Sequence, residues 1–111
     1  MSNTVLVCEY CWRDIDSFPY VTGNDLKFCS EICANRFYIA HLFIGRCALN
    51  SSHSMDAIHE IVPRSVRVDD WWSLDNMVPL CNNCHGKIHR EGTKKYRDQL
   101  RKILREKYAA N

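Results

Sequence analysis

Apolar and polar positions along the chain fall into three stretches with different periods. From Thr93 to Ala109, Tyr96, Leu100, Ile103, Leu104 and Tyr108 recur at i, i+4, i+7, i+8 and i+12, the stripe of a regular amphipathic helix. Before it, Ala57 to Val62 reads as a strand closed by Pro63, and Arg64 to Asp75 is a polar, tryptophan-bearing loop. Met77 to Leu80 returns as a second strand, and a short helix follows through Cys84, His85, Ile88 and His89, capped by Asn82 or Asn83 and ended by Gly92. That order predicts a ββα unit. In the first stretch, Thr4 to Val7 is β-prone, and Phe18–Val21 and Leu26–Phe28 flank the turn residues Thr22-Gly23-Asn24-Asp25, a hairpin signal. Ser30 then caps a helix bearing Phe37, Ile39, Leu42, Phe43 and Ile44 until Gly45 stops it. The expected fold is a small α+β protein with segments 1–45, 46–92 and 93–111.

A chain of 111 residues holds one ordinary domain or two very small metal-stapled ones, which excludes a large two-lobed enzyme. With 46% hydrophobic and 25% charged residues, disorder over most of its length is not expected. The net charge of +2 conceals a split. Residues 1–86 carry 6 Lys/Arg against 10 Asp/Glu, whereas residues 87–111 carry 9 against 3. The C-terminal helix is therefore the electrostatic signal, and Lys94, Lys95, Arg97, Arg101, Lys102 and Arg105 lie largely off its apolar stripe. They are candidate phosphate contacts; a solvated helix face is the plainer alternative. No secretory leader pattern and no apolar run long enough to span a bilayer is visible, so a soluble protein of a reducing compartment is expected, with no membrane partner.

Seven cysteines change the picture. Cys8 with Cys11, Cys29 with Cys33, and Cys81 with Cys84 form close pairs whose sulfurs converge on one ion more easily than they bridge distant strands. Knuckle, hairpin, then a second pair at a helix start is the order of a treble-clef zinc site, with Cys8, Cys11, Cys29 and Cys33 as ligands. Its plainest role is a folding staple, since so few residues bury little core.

His85 and His89, four apart on a helix, share a face, and His59 lies on the preceding strand where a hairpin brings it over them. Three nitrogen ligands with an open position describe a catalytic rather than a closed metal site. The string from Ile58 to Ser65, IHEIVPRS, followed by Asp75 to His89, DNMVPLCNNCHGKIH, resembles the HNH endonuclease family over about residues 46–92. The resemblance implies a ββα-metal nuclease that hydrolyses DNA phosphodiesters with one divalent cation, Mg²⁺, Mn²⁺, Zn²⁺ or Ni²⁺. By position, His59, His85 and His89 match the metal ligands, and Asn76 matches the central asparagine that fixes the loop and orients the general base. The family's base is a histidine three residues before the proline; Glu60 stands there instead. Glu60 is the preferred base, because the proline spacing sets the register; its alternatives are a direct or water-bridged metal ligand, a lesion that leaves a DNA-binding relic, or, with a one-residue reframing, His59 as base. The family scaffold also shares a zinc between an upstream cysteine pair and the pair before the helix histidine. Here the upstream half is only Cys47, so Cys47, Cys81 and Cys84 need a fourth ligand, and His53 is the candidate.

The function expected from these residues is a metal-dependent DNA endonuclease with low sequence specificity or a guiding protein partner, with one or two structural zinc ions and Arg64 or Lys87 assisting. The alternative is a catalytically silent zinc-dependent DNA-binding or adaptor module, and a third reading has the acidic first segment docking a protein. The resemblance implies a cytoplasmic setting in a bacterial cell or phage-infected host. Trp71 and Trp72 either stack on bases or pack on the hairpin.

Overall fold

The computed structural model describes residues 6–16 and 18–110, so the Thr4 and Val5 part of the β-prone start lies outside the described residues. Seven elements follow in order: β1 (Tyr20–Val21), β2 (Lys27–Phe28), α1 (Glu31–Leu42), β3 (Ala57–Glu60), β4 (Met77–Leu80), α2 (Asn82–Glu91) and α3 (Thr93–Ala110). The fold is small α+β. It divides into two compact units, Met1–Tyr38 and Ile39–Asn111, with the boundary inside α1.

In the first unit the Thr22–Asp25 turn joins β1 to β2 antiparallel, with Tyr20 opposite Phe28. Asp25 adopts φ 67, a left-handed conformation that aspartate tolerates better than most residues. Ser30 caps α1, its Oγ accepting from the Cys33 N–H at 3.3 Å. Buried residues here are Cys8, Phe28, Cys33 and Ala34, packed by Tyr10, Cys11, Ile15, Leu26 and Phe37. A core this short of aliphatic side chains leaves sulfur convergence to hold the loops together.

In the second unit β3 and β4 are antiparallel, pairing His59 with Val78 and Glu60 with Met77. Every β4 residue is buried, Pro79 included, which a two-stranded sheet allows because both strands are edges. The expected strand to Val62 ends two residues early, at Glu60: Ile61 N–H still reaches the Asn76 carbonyl (2.8 Å), but Asn76 N–H turns back to the Ser73 carbonyl (2.9 Å) and Val62 N–H goes to the Asn76 side chain (2.9 Å). Helix α2 is capped by Cys81, not by Asn82 or Asn83: the Cys81 thiol sulfur accepts from the Cys84 N–H at 3.4 Å. Gly92, at φ 102, closes it as expected and leads directly into α3.

Helix α3 lays Tyr96, Leu100 and Leu104 into a core shared with Ile39, Phe43, Ile61, Met77, Val78, Leu80 and Ile88. Tyr108 fastens its far end by donating to the Leu74 carbonyl at 2.9 Å. Helix α3 therefore completes the core of the second unit. Leu100→Ala, at a side chain 1% exposed, is expected to lower the free energy of unfolding by roughly 2–5 kcal/mol, read as a shifted urea midpoint at unchanged slope.

Candidate metal centres and catalytic pocket

Three groups of side chains bring their ligand atoms within 4.8 Å of one another: Cys8, Cys11, Cys29 and Cys33; Cys47, Cys81 and Cys84; and His59, His85 and His89. All seven cysteines are free thiols. A regular tetrahedron around zinc, with Zn–S about 2.3 Å, has sulfur–sulfur edges of about 3.8 Å. Cys11 and Cys29 stand 3.7 Å apart and Cys29 and Cys33 3.5 Å apart, close to that edge and far beyond a disulfide. Beside the second group, His53 Nδ1 lies 3.5 Å from Cys81 Sγ, near the edge of about 3.6 Å expected for mixed nitrogen and sulfur ligands.

The thiols of each sulfur group compete for ionisation. Burial raises Cys8, yet the backbone N–H groups of Cys11, Cys29 and Tyr10 outweigh it and bring the thiol down to about 6. Burial and the neighbouring Cys29 push Cys33 up to about 12. The second group splits the same way: the Cys84 N–H and His53 lower Cys81 to about 6, while burial and Cys81 push Cys84 up to about 12. Crowded like charges ionise one at a time, and a dication among them removes the conflict.

The histidine group is assembled by local geometry. Alternation along β3 turns His59 inward, while the four-residue spacing on α2 stacks His85 above His89. His59 is 4% exposed, and its Nε2 has no hydrogen-bond partner. An orphaned buried imidazole nitrogen is costly unless something else meets it. Burial, reinforced by His85 and His89, holds the His59 imidazolium down to about 4, and burial also lowers His85. Neutral rings with free lone pairs are the state a cation requires. His85 Nε2 and His89 Nε2 face each other at 3.0 Å, an approach that needs a proton or a cation between them. The three rings, with Ile58, Glu60, Pro63 and Thr93, line a cavity of about 170 Å³.

Around this cavity the loop between β3 and β4 is fixed. Asn76, 1% exposed, accepts from Val62 N–H at 2.9 Å and donates to the Val62 and Trp71 carbonyls at 2.9 and 3.0 Å. With its amide so engaged, Asn76 positions the loop and is not directed at the cavity's histidines. Arg64 fills both oxygens of Glu60, Nε to Oε1 at 3.0 Å and Nη2 to Oε2 at 2.7 Å, while its guanidinium lies 3.8 Å over the Trp71 ring. Arg67 ties the loop to itself through Asp70 at 2.6 Å and Asp75 at 3.2 Å. Lys87 is exposed on α2, Lys95 is paired with Glu91 at 2.8 Å, and Arg97 is half-buried on α3. Sequence reading missed Arg67 as a loop fastener and Thr93 as a cavity wall; the run of one arginine and acids at 67, 70 and 75 was a signal for the first. Trp71 meets Trp72 edge to face at 5.6 Å.

Residues 45–91 match the family model described as HNH endonuclease. Comparison with curated proteins and with solved structures finds no match. No helix among the described residues is long and apolar enough to cross a membrane.

Asn76→Ala leaves two Val62 backbone groups buried without partners, at about 1–3 kcal/mol each. A loss of roughly 3 kcal/mol in urea unfolding is expected, together with faster amide exchange at Val62. Exchange equal to the parent's would show that the loop holds without this side chain.

Proposed function

From the HNH endonuclease domain at residues 45–91, we propose that the protein hydrolyses phosphodiester bonds in DNA with low sequence specificity, using one divalent cation held by His59, His85 and His89. The observation that carries the reading is the convergence of three imidazoles around the unpartnered, buried Nε2 of His59 beside an open cavity. A divalent cation there supplies charge stabilisation to the phosphate and to the departing oxygen. Glu60, in the wall of the same cavity, is the general base. Each of its oxygens keeps a second lone pair beside the Arg64 contact, so it can take a proton from water. The water oxygen bonds to phosphorus, the phosphorus–oxygen bond to the sugar breaks, and solvent protonates the leaving oxygen. Arg64 is a positioning residue that holds the carboxylate in place, and Asn76 sets the loop from which both approach.

The sulfur sites are structural in this reading: one zinc on Cys8, Cys11, Cys29 and Cys33, a second on Cys47, Cys81, Cys84 and His53. The sulfur spacings and the His53 contact support them. A catalytically silent DNA-binding module is the competing reading, and the specific observation in its favour is that Arg64 already occupies both oxygens of Glu60. The setting would be the cytoplasm of a bacterial or phage-infected cell.

Incubation of supercoiled plasmid with purified protein and Mg²⁺, Mn²⁺, Zn²⁺ or Ni²⁺ separates the two. The parent is expected to nick or linearise it, His85→Ala to be inactive, and Glu60→Gln to be slower by roughly a hundredfold. Glu60→His is expected to keep activity near neutral pH. Cleavage by Glu60→Gln at the parent rate, with His59→Ala dead yet still metal-bound, would move the base to His59. No cleavage under any condition leaves the silent module.

Elemental analysis after exhaustive dialysis is expected to return about two zinc ions per chain, and removal by chelator to unfold the loops that the thiols gather. A value near zero, with folding indifferent to chelator, would remove both structural sites.

A further inference from the structure

The basic charge of α3 is not spread around the helix. At about 100° per residue, Lys94, Arg97, Arg101 and Arg105 fall in one arc of about 80° that contains no acid. The next arc, of about 100°, holds Lys95, Asp98, Gln99, Lys102 and Glu106 and sums to zero charge. Lys95 is further neutralised by Glu91 at 2.8 Å. The positive flank adjoins both cavities that α3 helps to form. Thr93, at the start of the helix and about 40° from the edge of that arc, lines the histidine cavity. Arg101 and Arg105, with Leu104, Tyr108 and Asp75, line a second cavity of about 220 Å³. Between them sits Arg97, whose Nε is buried without a hydrogen-bond partner among the described residues. The one acid of the second cavity, Asp75, is engaged by Arg67 at 3.2 Å, which blunts its repulsion of an anion.

We propose that this single flank of α3, from Thr93 to the Arg101–Arg105 cavity, is a phosphate track that carries the backbone of duplex DNA away from the histidine cavity. The inference rests on the nuclease reading for its substrate and adds the direction in which that substrate leaves the site. Its span is about 18 Å, twelve residues at 1.5 Å each, which matches about five base steps of 3.4 Å along one strand. Three arginines one helical turn apart present charge along that line. The opposite flank, balanced in sign, stays in solvent. Affinity therefore depends on which cations are removed and not only on how many.

The test compares two pairs that each remove two positive charges from exposed positions: Arg101→Gln with Arg105→Gln, and Lys95→Gln with Lys102→Gln. Binding to a random duplex of about 20 base pairs is measured at several salt concentrations without added divalent cation, so that cleavage does not intervene. The arginine pair is expected to reduce the slope of log K against log salt by about 2, at about 0.9 per lost phosphate contact, and to weaken binding at least tenfold. The lysine pair is expected to bind like the parent. Equal losses in both pairs would overturn the track in favour of net charge alone, and no loss in either, or no duplex binding by the parent, would overturn it outright. Plasmid cleavage by the arginine pair at saturating protein separates this result from the nuclease reading. Parent cleavage with an unchanged salt slope removes the track and keeps the nuclease; selective loss of binding in a chain that never cleaves keeps the track and removes the nuclease.

Discussion

The start of α2 is held by the Cys81 thiol, beside the Asp56 carboxylate that accepts from the Asn82 N–H at 2.8 Å. Cys81 sits at the end of β4 with extended backbone and caps the helix through its sulfur, while the same atom lies against His53 and belongs to the group with Cys47 and Cys84. A helix of 10 residues has little intrinsic stability in water, and its orphan N–H groups must be met by something. Here the cap and the sulfur cluster are one feature, so the helix start is anchored at the point where the strand hands over. Cys84 and His85, adjacent in the first turn, then project about 100° apart. One joins the sulfur group and the other the histidine group. His89, one turn on, follows His85 by geometry alone. The candidate site is thus placed by a local clamp at the helix start together with Ile88, which seats the helix in the core.

The second constraint is the Asn76 side chain, which replaces sheet pairing where β3 stops. By meeting both backbone groups of Val62 it lets the chain turn away at Pro63 without leaving polar atoms unpaired in the interior. Glu60 and Arg64 flank that turn on either side, and their bidentate pair exists because the turn brings them to one surface. Arg64 continues onto the Trp71 face, so the fixed end of the loop is stacked and the rest is cinched by Arg67. The loop beside the histidine cavity is in this way fixed, and Pro63 is its contribution to a wall otherwise drawn from β3, α2 and α3.

What the sequence made legible was whatever is decided within a few residues. The C-x-x-C knuckle at Cys8 and Cys11, the Thr22–Asp25 turn, the Ser30 cap and the Gly92 stop all depend on local chemistry, and each lies where its residues suggest. The grouping of His59 with His85 and His89 was also readable, because a hairpin followed by a helix leaves few places for those rings. Two features were not readable, for one reason: a side chain took a role usually filled by backbone or by another residue type. Cys81 acts as a helix cap, which oxygen-bearing side chains normally do, and Asn76 substitutes for a strand partner and shortens β3 by two residues. The Arg64 stack on Trp71 joins loop residues whose separation in sequence carries no period from which to predict it.

The charge distribution gains its meaning from packing. Along the sequence, the C-terminal cations form an undifferentiated run against an otherwise acidic chain. Once Tyr96, Leu100 and Leu104 are buried, the rotation of α3 is fixed, and every other side chain on it acquires a definite bearing. The apolar stripe therefore decides which cations line the cavity beside Asp75 and Tyr108 and which face away, though none of its residues carries a charge. Ties at the two ends keep that rotation from drifting: Tyr96 donates to Glu91 at 2.9 Å near the start, and Tyr108 holds Leu74 at the far end. A substitution that rotated the helix by even one residue position, about 100°, would carry the arginine flank off the cavity while leaving the composition of the chain untouched. The bearing of each charge on α3 is thus set by hydrophobic register, and net charge alone is a poor guide to it.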